Sequence, residues 1–301
     1  MKFFRVPVYI LAYFVFIGAG ECAFQYLDVG ARPLGMAGAY SCVGDDASVM
    51  FWNPAGLNRV KKPEFSTMYS QFYPDLLENL GLSYMSFVYP SEKYGNFGAG
   101  FVQMGMSLYQ ENVFALSYAR KLPFYGGLYC GVNLKNLSKN YAMTGYTMLD
   151  PAFAEKMSAS GYGLDVGFAY DVNEKLSFAF VGKNINEPNI RLVKSDVVPS
   201  EYRIGAGYRR GTLALEADLV TYGMGLNNYL CAGAEMWMPG DRVGVRAGFN
   251  LGDNEYKTMA MGATFRAPFA ISALQVDYGF VYNLNFSESP GNHYFSLGIK
   301  F

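Results

Sequence analysis

The sequence predicts an all-β transmembrane barrel of about fourteen antiparallel strands, and three observations predict it. From Glu64 onward the chain repeats segments of about ten residues in which apolar and polar residues alternate, the period of a strand with two unlike faces. Aromatic residues reach 17%, with 25 Tyr, 24 Phe and 34 Gly, a mixture that suits lipid-facing rows ending in aromatic girdles. Tight turns alternate with longer connections, as they do when one end of a barrel faces the periplasm and the other the outside. Helical spans are excluded beyond the N-terminus, because mean hydropathy is +0.06 and no later run approaches eighteen apolar residues. The alternation by itself would also fit a soluble β-sandwich, whose apolar rows face a core; the connections decide for the barrel.

The N-terminus assigns the compartment. Lys2 and Arg5 form a basic region, and no charge follows from Val6 until Glu21. Fifteen helical residues rise about 22 Å, short of the roughly 30 Å hydrocarbon core, so residues 1–22 read as a signal peptide rather than an anchor. Gly18, Ala19 and Gly20 suit a cleavage site between residues 20 and 23, and Glu21 before Cys22 is a poor fit to a lipoprotein site. The expected location is the outer membrane of a Gram-negative-type bacterium.

Residues 63–301 form the predicted barrel. The strands fall near residues 64–73, 80–89, 96–106, 111–121, 124–136, 161–171, 175–184, 200–209, 212–221, 228–238, 242–251, 256–266, 271–282 and 293–301. Tyr162, Leu164, Val166, Phe168 and Tyr170 make one outward row, opposed by Gly163, Asp165, Gly167 and Ala169. Leu213, Leu215, Ala217 and Leu219 make another, opposed by Glu216 and Asp218. Val243, Val245, Ala247, Phe249 and Leu251 oppose Arg246 and Asn250, and Leu274, Val276, Tyr278, Phe280 and Tyr282 oppose Gln275 and Asp277. Charges stay off these apolar rows, as lipid requires. Asp171 to Glu174, Arg209 to Gly211 and Pro239 to Asp241 read as periplasmic turns; residues 138–160, 185–199, 222–228 and 283–292 read as outer connections. The last strand places Phe295, Leu297, Ile299 and Phe301 on one face, and a chain ending on an aromatic residue resembles the strand that barrel assembly machinery reads.

Residues 23–62 do not alternate. They contain Gly30-Ala31-Arg32-Pro33-Leu34-Gly35-Met36-Ala37-Gly38-Ala39-Tyr40, then Asp45-Asp46-Ala47-Ser48, then Phe51-Trp52-Asn53-Pro54-Ala55-Gly56-Leu57. This order resembles the N-terminal block of the PorV/PorQ family, a branch of the FadL-like outer-membrane barrels. The resemblance implies that the segment folds into the lumen as a plug. Gly35 and Gly38 permit close backbone approach. Asn53 followed by Pro54 fits a helix N-cap with Pro at the first helical position, Asp45 or Asp46 can cap a short helix preceding that one, and Gly56 completes the motif.

The resemblance also implies two functions of different class. PorV-type relatives work with type IX secretion, which makes secretion-system proteins the expected partners. FadL-like barrels pass hydrophobic small molecules, with the third and fourth outer loops as entrance. Here those loops carry Met143, Tyr146, Met148, Leu149 and Phe153, and Ile190, Leu192, Val193 and Val197, apolar residues suited to a ligand or partner. The third loop also contains Met157. The other expected partners are the lipid bilayer and the assembly machinery.

No enzyme is expected, and no cofactor or metal. His293 has no second His and no nucleophile motif beside it, and Asp45-Asp46 lacks the alternating oxygen ligands of a calcium loop. Cys22, Cys42, Cys130 and Cys231 have no metal-ligand spacing, and their pairing is not readable from spacing. Arg203, Glu216, Asp218, Arg246, Arg266 and Asp277 should pair across the lumen or hold the plug. A net charge of −1 gives no footprint for nucleic acid.

Phe301 ends the outward row and can bury little beyond its own ring, so its expected role is in biogenesis. Deleting it should lower the amount of heat-modifiable barrel in outer membranes while export to the periplasm continues; normal assembly of the truncated chain would refute that role.

Overall fold

The computed structural model describes residues 23–24, 27–72, 80–123, 126–144, 153, 156–223, 228–253, 257–269, 272–285 and 290–301. The expected signal peptide lies outside the described residues. Strands follow one another from β1 (Glu64–Gln71) through β2 (Gly81–Tyr89), β3 (Asn96–Met106), β4 (Tyr109–Lys121), β5 (Leu128–Tyr141), β6 (Ser158–Asp171) and β7 (Leu176–Lys183). They continue through β8 (Glu201–Arg210), β9 (Leu213–Tyr222), β10 (Tyr229–Trp237), β11 (Val243–Gly252), β12 (Lys257–Pro268), β13 (Ala273–Asn283) and β14 (Asn292–Lys300). Each pairs antiparallel with its neighbours in sequence. β1 closes the cylinder on β14, with Phe65 opposite Ile299 and Tyr69 opposite Phe295. Closure removes the open sheet edge, whose unpaired amides hydrocarbon cannot satisfy.

The outward rows form a belt. Tyr89, Phe97, Tyr170, Tyr208, Phe265 and Phe301 are exposed near the end that carries both the start of β1 and the chain terminus. Tyr69, Tyr162, Tyr202, Phe249 and Phe295 are exposed toward the other end, with Leu116, Leu134, Ile204, Leu219 and Val276 between. This is the girdled apolar band of an outer-membrane barrel. The six hairpin connections at the terminus end are residues 90–95, 122–127, 172–175, 211–212, 238–242 and 269–272, which marks that end as periplasmic.

The structure departs from the alternation at two places. The fifth strand was expected at residues 124–136 but runs from Leu128 to Tyr141, and β6 begins at Ser158, so the third outer connection shrinks to residues 142–157. Gly127 has φ +82 and turns the chain before the strand can start. Beyond Leu134 the outward row of β5 becomes Asn136, Ser138 and Asn140, and the hydrogen bonds to β6 simply continue. The strand therefore outlasts its lipid-facing pattern and carries a polar row above the membrane. The second departure is the outer turn between β3 and β4, which has only two residues, Ser107 and Leu108.

Inside the barrel lie a one-turn helix α1 (Ala31–Leu34) and two 3-10 helices, Ala47–Phe51 and Pro54–Arg59. The first lies against β12, β13 and β14, and the last against β3 to β6, so the segment crosses the lumen from one wall to the other. Val29, Met36, Tyr40, Met50, Trp52 and Leu57 are fully buried there.

Ile204 is 59% exposed between Tyr202 and Tyr208 on the lipid row of β8. Ile204→Arg should destabilise the barrel in bilayers by about 2–4 kcal/mol, whereas Asn140→Lys, on the polar row of β5, should cost less than about 0.5 kcal/mol. Urea unfolding in lipid vesicles measures both, and equal losses would contradict the assigned membrane level.

Candidate functional site

Two clusters of lumenal charge clamp the N-terminal segment. The first centres on Arg32. Its Nε and Nη2 donate to the two oxygens of Glu235 on β10 at 2.8 and 2.6 Å, a bidentate pair, and its Nη1 reaches Asp45 at 2.5 Å and Asp46 at 3.1 Å. Glu235 also accepts from Arg246 of β11, which continues to Asp277 of β13 at 3.3 Å. Asp46 accepts from the Tyr40 hydroxyl at 2.7 Å and from the backbone N–H of Ser48 at 3.0 Å, which caps the 3-10 helix that follows it. Burial disfavours the charge on Asp45, but Arg32 and Arg209 outweigh it and hold the carboxyl well below the usual range. A carboxyl depressed in the folded state stabilises at pH values above its unfolded pKa, and that contribution is lost as pH falls through the depressed value.

The second clamp grips backbone. Glu216 and Asp218 of β9 point into the lumen, where Glu216 accepts from the N–H groups of Cys42 and Val43 at 2.6 and 2.8 Å. Asp218 accepts from the Ser41 hydroxyl at 2.7 Å and from Arg203 at 3.1 Å. Arg203 in turn donates to the Gly38 carbonyl at 2.7 Å and lies 5.2 Å over the Trp52 ring, whose indole N–H donates to Val29. Cys42, Glu216 and Asp218 bring three ligand-type atoms within 4.8 Å of one another. The carboxylate lone pairs are already occupied by the plug, and burial with Glu216 and Asp218 pushes the Cys42 thiol up, so this cluster is a clamp and not a metal donor set. Cys42, Cys130 and Cys231 are free thiols.

The motif residues occupy structural positions. Asn53 caps Pro54–Arg59 by accepting from Ala55 N–H at 3.0 Å, and its amide nitrogen donates to the Ser41 carbonyl. Pro54 begins that helix, and Gly56 packs beside Val49. Gly35 lies against Arg246, and Gly38 adopts φ +78 beneath Trp52. Close approach also explains two wall glycines: a Cβ on Gly233 would stand 2.6 Å from the Met36 carbonyl oxygen, and one on Gly248 2.5 Å from its carbonyl carbon.

Two cavities flank this plug. The outer one, about 450 Å³, opens between the plug and the outer ends of β1, β3 and β10 to β14; Leu34, Phe72, Leu80, Met104, Val281 and Tyr294 supply its apolar lining. The periplasmic one, about 640 Å³, is lined by Arg32, Asp45, Arg59, Lys61, Lys62 and Arg266 among others. Leu34 faces the first and Arg32 the second, so α1 is the partition between them. Among the described residues Arg266 pairs with no acid; it donates to Gln275 and stacks 4.3 Å over Trp237.

The loop residues lie elsewhere. Met143 is 67% exposed, Phe153 packs against Tyr141 with tilted rings whose centroids are 5.0 Å apart, and Leu192 is half-buried; none of them lines the outer cavity. Tyr146, Met148 and Leu149 lie outside the described residues. Residues 184–200 fold into the barrel mouth, where Ile190 and Val198 are buried. This segment also supplies partners for the upper part of β6, since Ile185 N–H donates to the Leu164 carbonyl at 2.9 Å. His293 is exposed and bonds the Tyr278 hydroxyl through Nδ1. Phe301 is 53% exposed, its backbone N–H donating to Pro63.

No protein-family model matches the chain, and no curated protein does. Solved structures do. The toluene transporter TbuX of Ralstonia pickettii superposes with a TM-score of 0.61 at 13% identity, covering 92% of this chain and 99% of its own. A Pseudomonas aeruginosa FadL homologue gives 0.61 at 12%, covering 91% and 98%. The chain has the FadL-like fold. The monoaromatic hydrocarbon channel CymD agrees, with 0.60 at 14%, 93% of this chain and 99% of that one.

Arg32 and Glu235 escaped the sequence reading. Arg32 stands in a run of small residues that suggested only packing, and the Gly- and Ala-rich β10 left the facing of Glu235 ambiguous. Removing Arg32 leaves the buried Glu235 and Asp46 and the partly exposed Asp45 without that cation, a loss of about 3–5 kcal/mol for a broken buried pair. In a Cys130→Ala/Cys231→Ser background, Arg32→Met should make Cys42 react with maleimide from the periplasmic side. Cys42 protected as fully as with Arg32 in place would show that the ion pairs do not hold the plug.

Proposed function

We propose that this protein passes hydrophobic small molecules through the outer membrane. The observation that carries this reading is the outer cavity, a chamber of about 450 Å³ within the barrel mouth, lined by apolar and uncharged polar side chains together with Asp28 and resting on a plug. That volume lies within the range of small-molecule sites, and an apolar lining with a few polar groups is what such sites have in common. The similar solved structures named as toluene transporter, FadL homologue and monoaromatic hydrocarbon channel support the same reading at the level of fold. A molecule entering from outside meets Phe72, Leu80 and Met104 first and Leu34 of α1 below them. Passage beyond requires the plug to shift, because α1 divides the two cavities.

The PorV/PorQ resemblance rests on the plug motif. Asp46, Asn53, Pro54 and the motif glycines are engaged in capping and packing, so they lend a secretion role no support of their own. Met143, with Tyr146, Met148, Leu149, Phe153 and Leu192, stays a proposed outer contact surface for whatever approaches the mouth.

Val281 points into the outer cavity from β13. Val281→Trp should fill part of it and slow uptake of the fluorescent hydrophobic amine N-phenyl-1-naphthylamine by intact cells several-fold, at unchanged levels of heat-modifiable barrel. Uptake that matches cells carrying the unaltered protein would overturn the transport reading.

A further inference from the structure

Among its described lining residues, the outer cavity carries one formal charge. Among the residues that line it, Asp28 is the sole acid and no base is present; the other polar groups are the uncharged Tyr229, Asn250, Thr258, Asn283 and Asn292. Asp28 belongs to the stretch just before α1 and is only partly exposed. Among the described residues no hydrogen-bond donor or ion-pair partner contacts its carboxylate, although every other acid of the two clamps is bonded two or more times. The nearby cations are already engaged. Lys183 pairs with Glu201 at 3.2 Å, and Arg203 with Glu201 and Asp218.

A hydrocarbon filling this chamber would strip water from Asp28 and return no hydrogen bond, and an unpaired buried acceptor is costly. A carboxylate-ended ligand would add like-charge repulsion at short range. A ligand that combines an apolar body with one donor group would cover Leu34, Val281 and Tyr294 and satisfy Asp28 together. Asn250 strengthens the case: its side chain is buried, its amide nitrogen donates to Thr258 at 2.9 Å, and its Oδ1 has no partner.

We propose that the outer cavity selects amphiphiles bearing a hydroxyl or amine over those ending in a carboxylate, with Asp28 as the specificity-determining residue. This rests on the reading of the cavity as the ligand chamber. Burial pushes the Asp28 carboxyl up and Lys183 and Arg203 oppose that, so the preference is measured at pH 8 to favour the charged form.

The test uses the full-length mature barrel in phosphatidylcholine nanodiscs, with titration calorimetry of octylamine, 1-octanol and octanoate against empty discs. The three probes share one chain length, so their common apolar term cancels. The expected result is that octylamine and octanol bind while octanoate binds about tenfold more weakly or worse, the effect of a single unscreened charge pair in a protein site. Asp28→Asn should bring octylamine and octanoate within about threefold of each other and leave octanol nearly unchanged. Asp28→Ser serves the same purpose should the first variant lose heat-modifiability. Octanoate binding as tightly as octylamine to the unaltered barrel, or a ratio untouched in the variant, overturns the selectivity and leaves the transport reading standing. Binding of none of the three overturns the transport reading, and the selectivity with it.

Discussion

Lipid tolerates neither an unpaired backbone amide nor an exposed charge, and both demands fall on the same fourteen strands. Closing β1 on β14 answers the first. Alternation answers the second by sending ionic groups to the inner face, where Arg203, Glu216, Asp218, Glu235, Arg246 and Asp277 are concentrated in a narrow space. Charges so confined need counter-ions or dipoles, and the N-terminal segment supplies both. Arg32 enters among the carboxylates, and the N–H groups of Tyr40 to Val43 face Glu216 and Asp218. The plug is therefore the means by which the inner wall is satisfied as well as the obstruction in the lumen.

The same arrangement makes the partition thin. α1 has four residues, with Arg32 turned to the periplasmic cavity and Leu34 to the outer one. Such a partition is held laterally, by the bidentate pair to Glu235 and by the fit of Met36 against Gly233 and Gly248, with little depth of packing beneath it. Broken buried pairs are expensive, so these contacts hold the plug firmly in place. Among the described residues the two cavities also differ in net sign: one carboxylate lines the outer chamber, whereas seven bases, Lys61 and Lys62 among them, outnumber four acids around the periplasmic one. A single helical turn therefore separates opposite electrostatic surroundings.

How much of this was legible in the chain differs from element to element. The lipid rows of β6, β9, β11 and β13 could be read directly, because hydrocarbon excludes charge from every second residue and leaves a period that needs no tertiary knowledge. Asn53-Pro54 and Asp46 were legible for a related reason, since a cap is a local hydrogen bond two residues long. The upper half of β5 was not, because the rule that marks a lipid-facing strand ceases where lipid ends while the backbone ladder goes on to Tyr141.

The class of the fold, the strand order, the sidedness of the barrel and the segment that does not join it could all be read from the chain, since each follows from periodicity or from local backbone chemistry. Tertiary structure alone decided which charges meet. Arg32 and Glu235 stand 203 residues apart and Ser41 and Asp218 177, and the outer cavity collects Asp28, Met104, Asn250 and Tyr294 from opposite ends of the chain. Those meetings depend on strand register and on how deep the plug sits in the lumen. A one-residue slip in either would leave the period unchanged and move every one of those side chains to another partner.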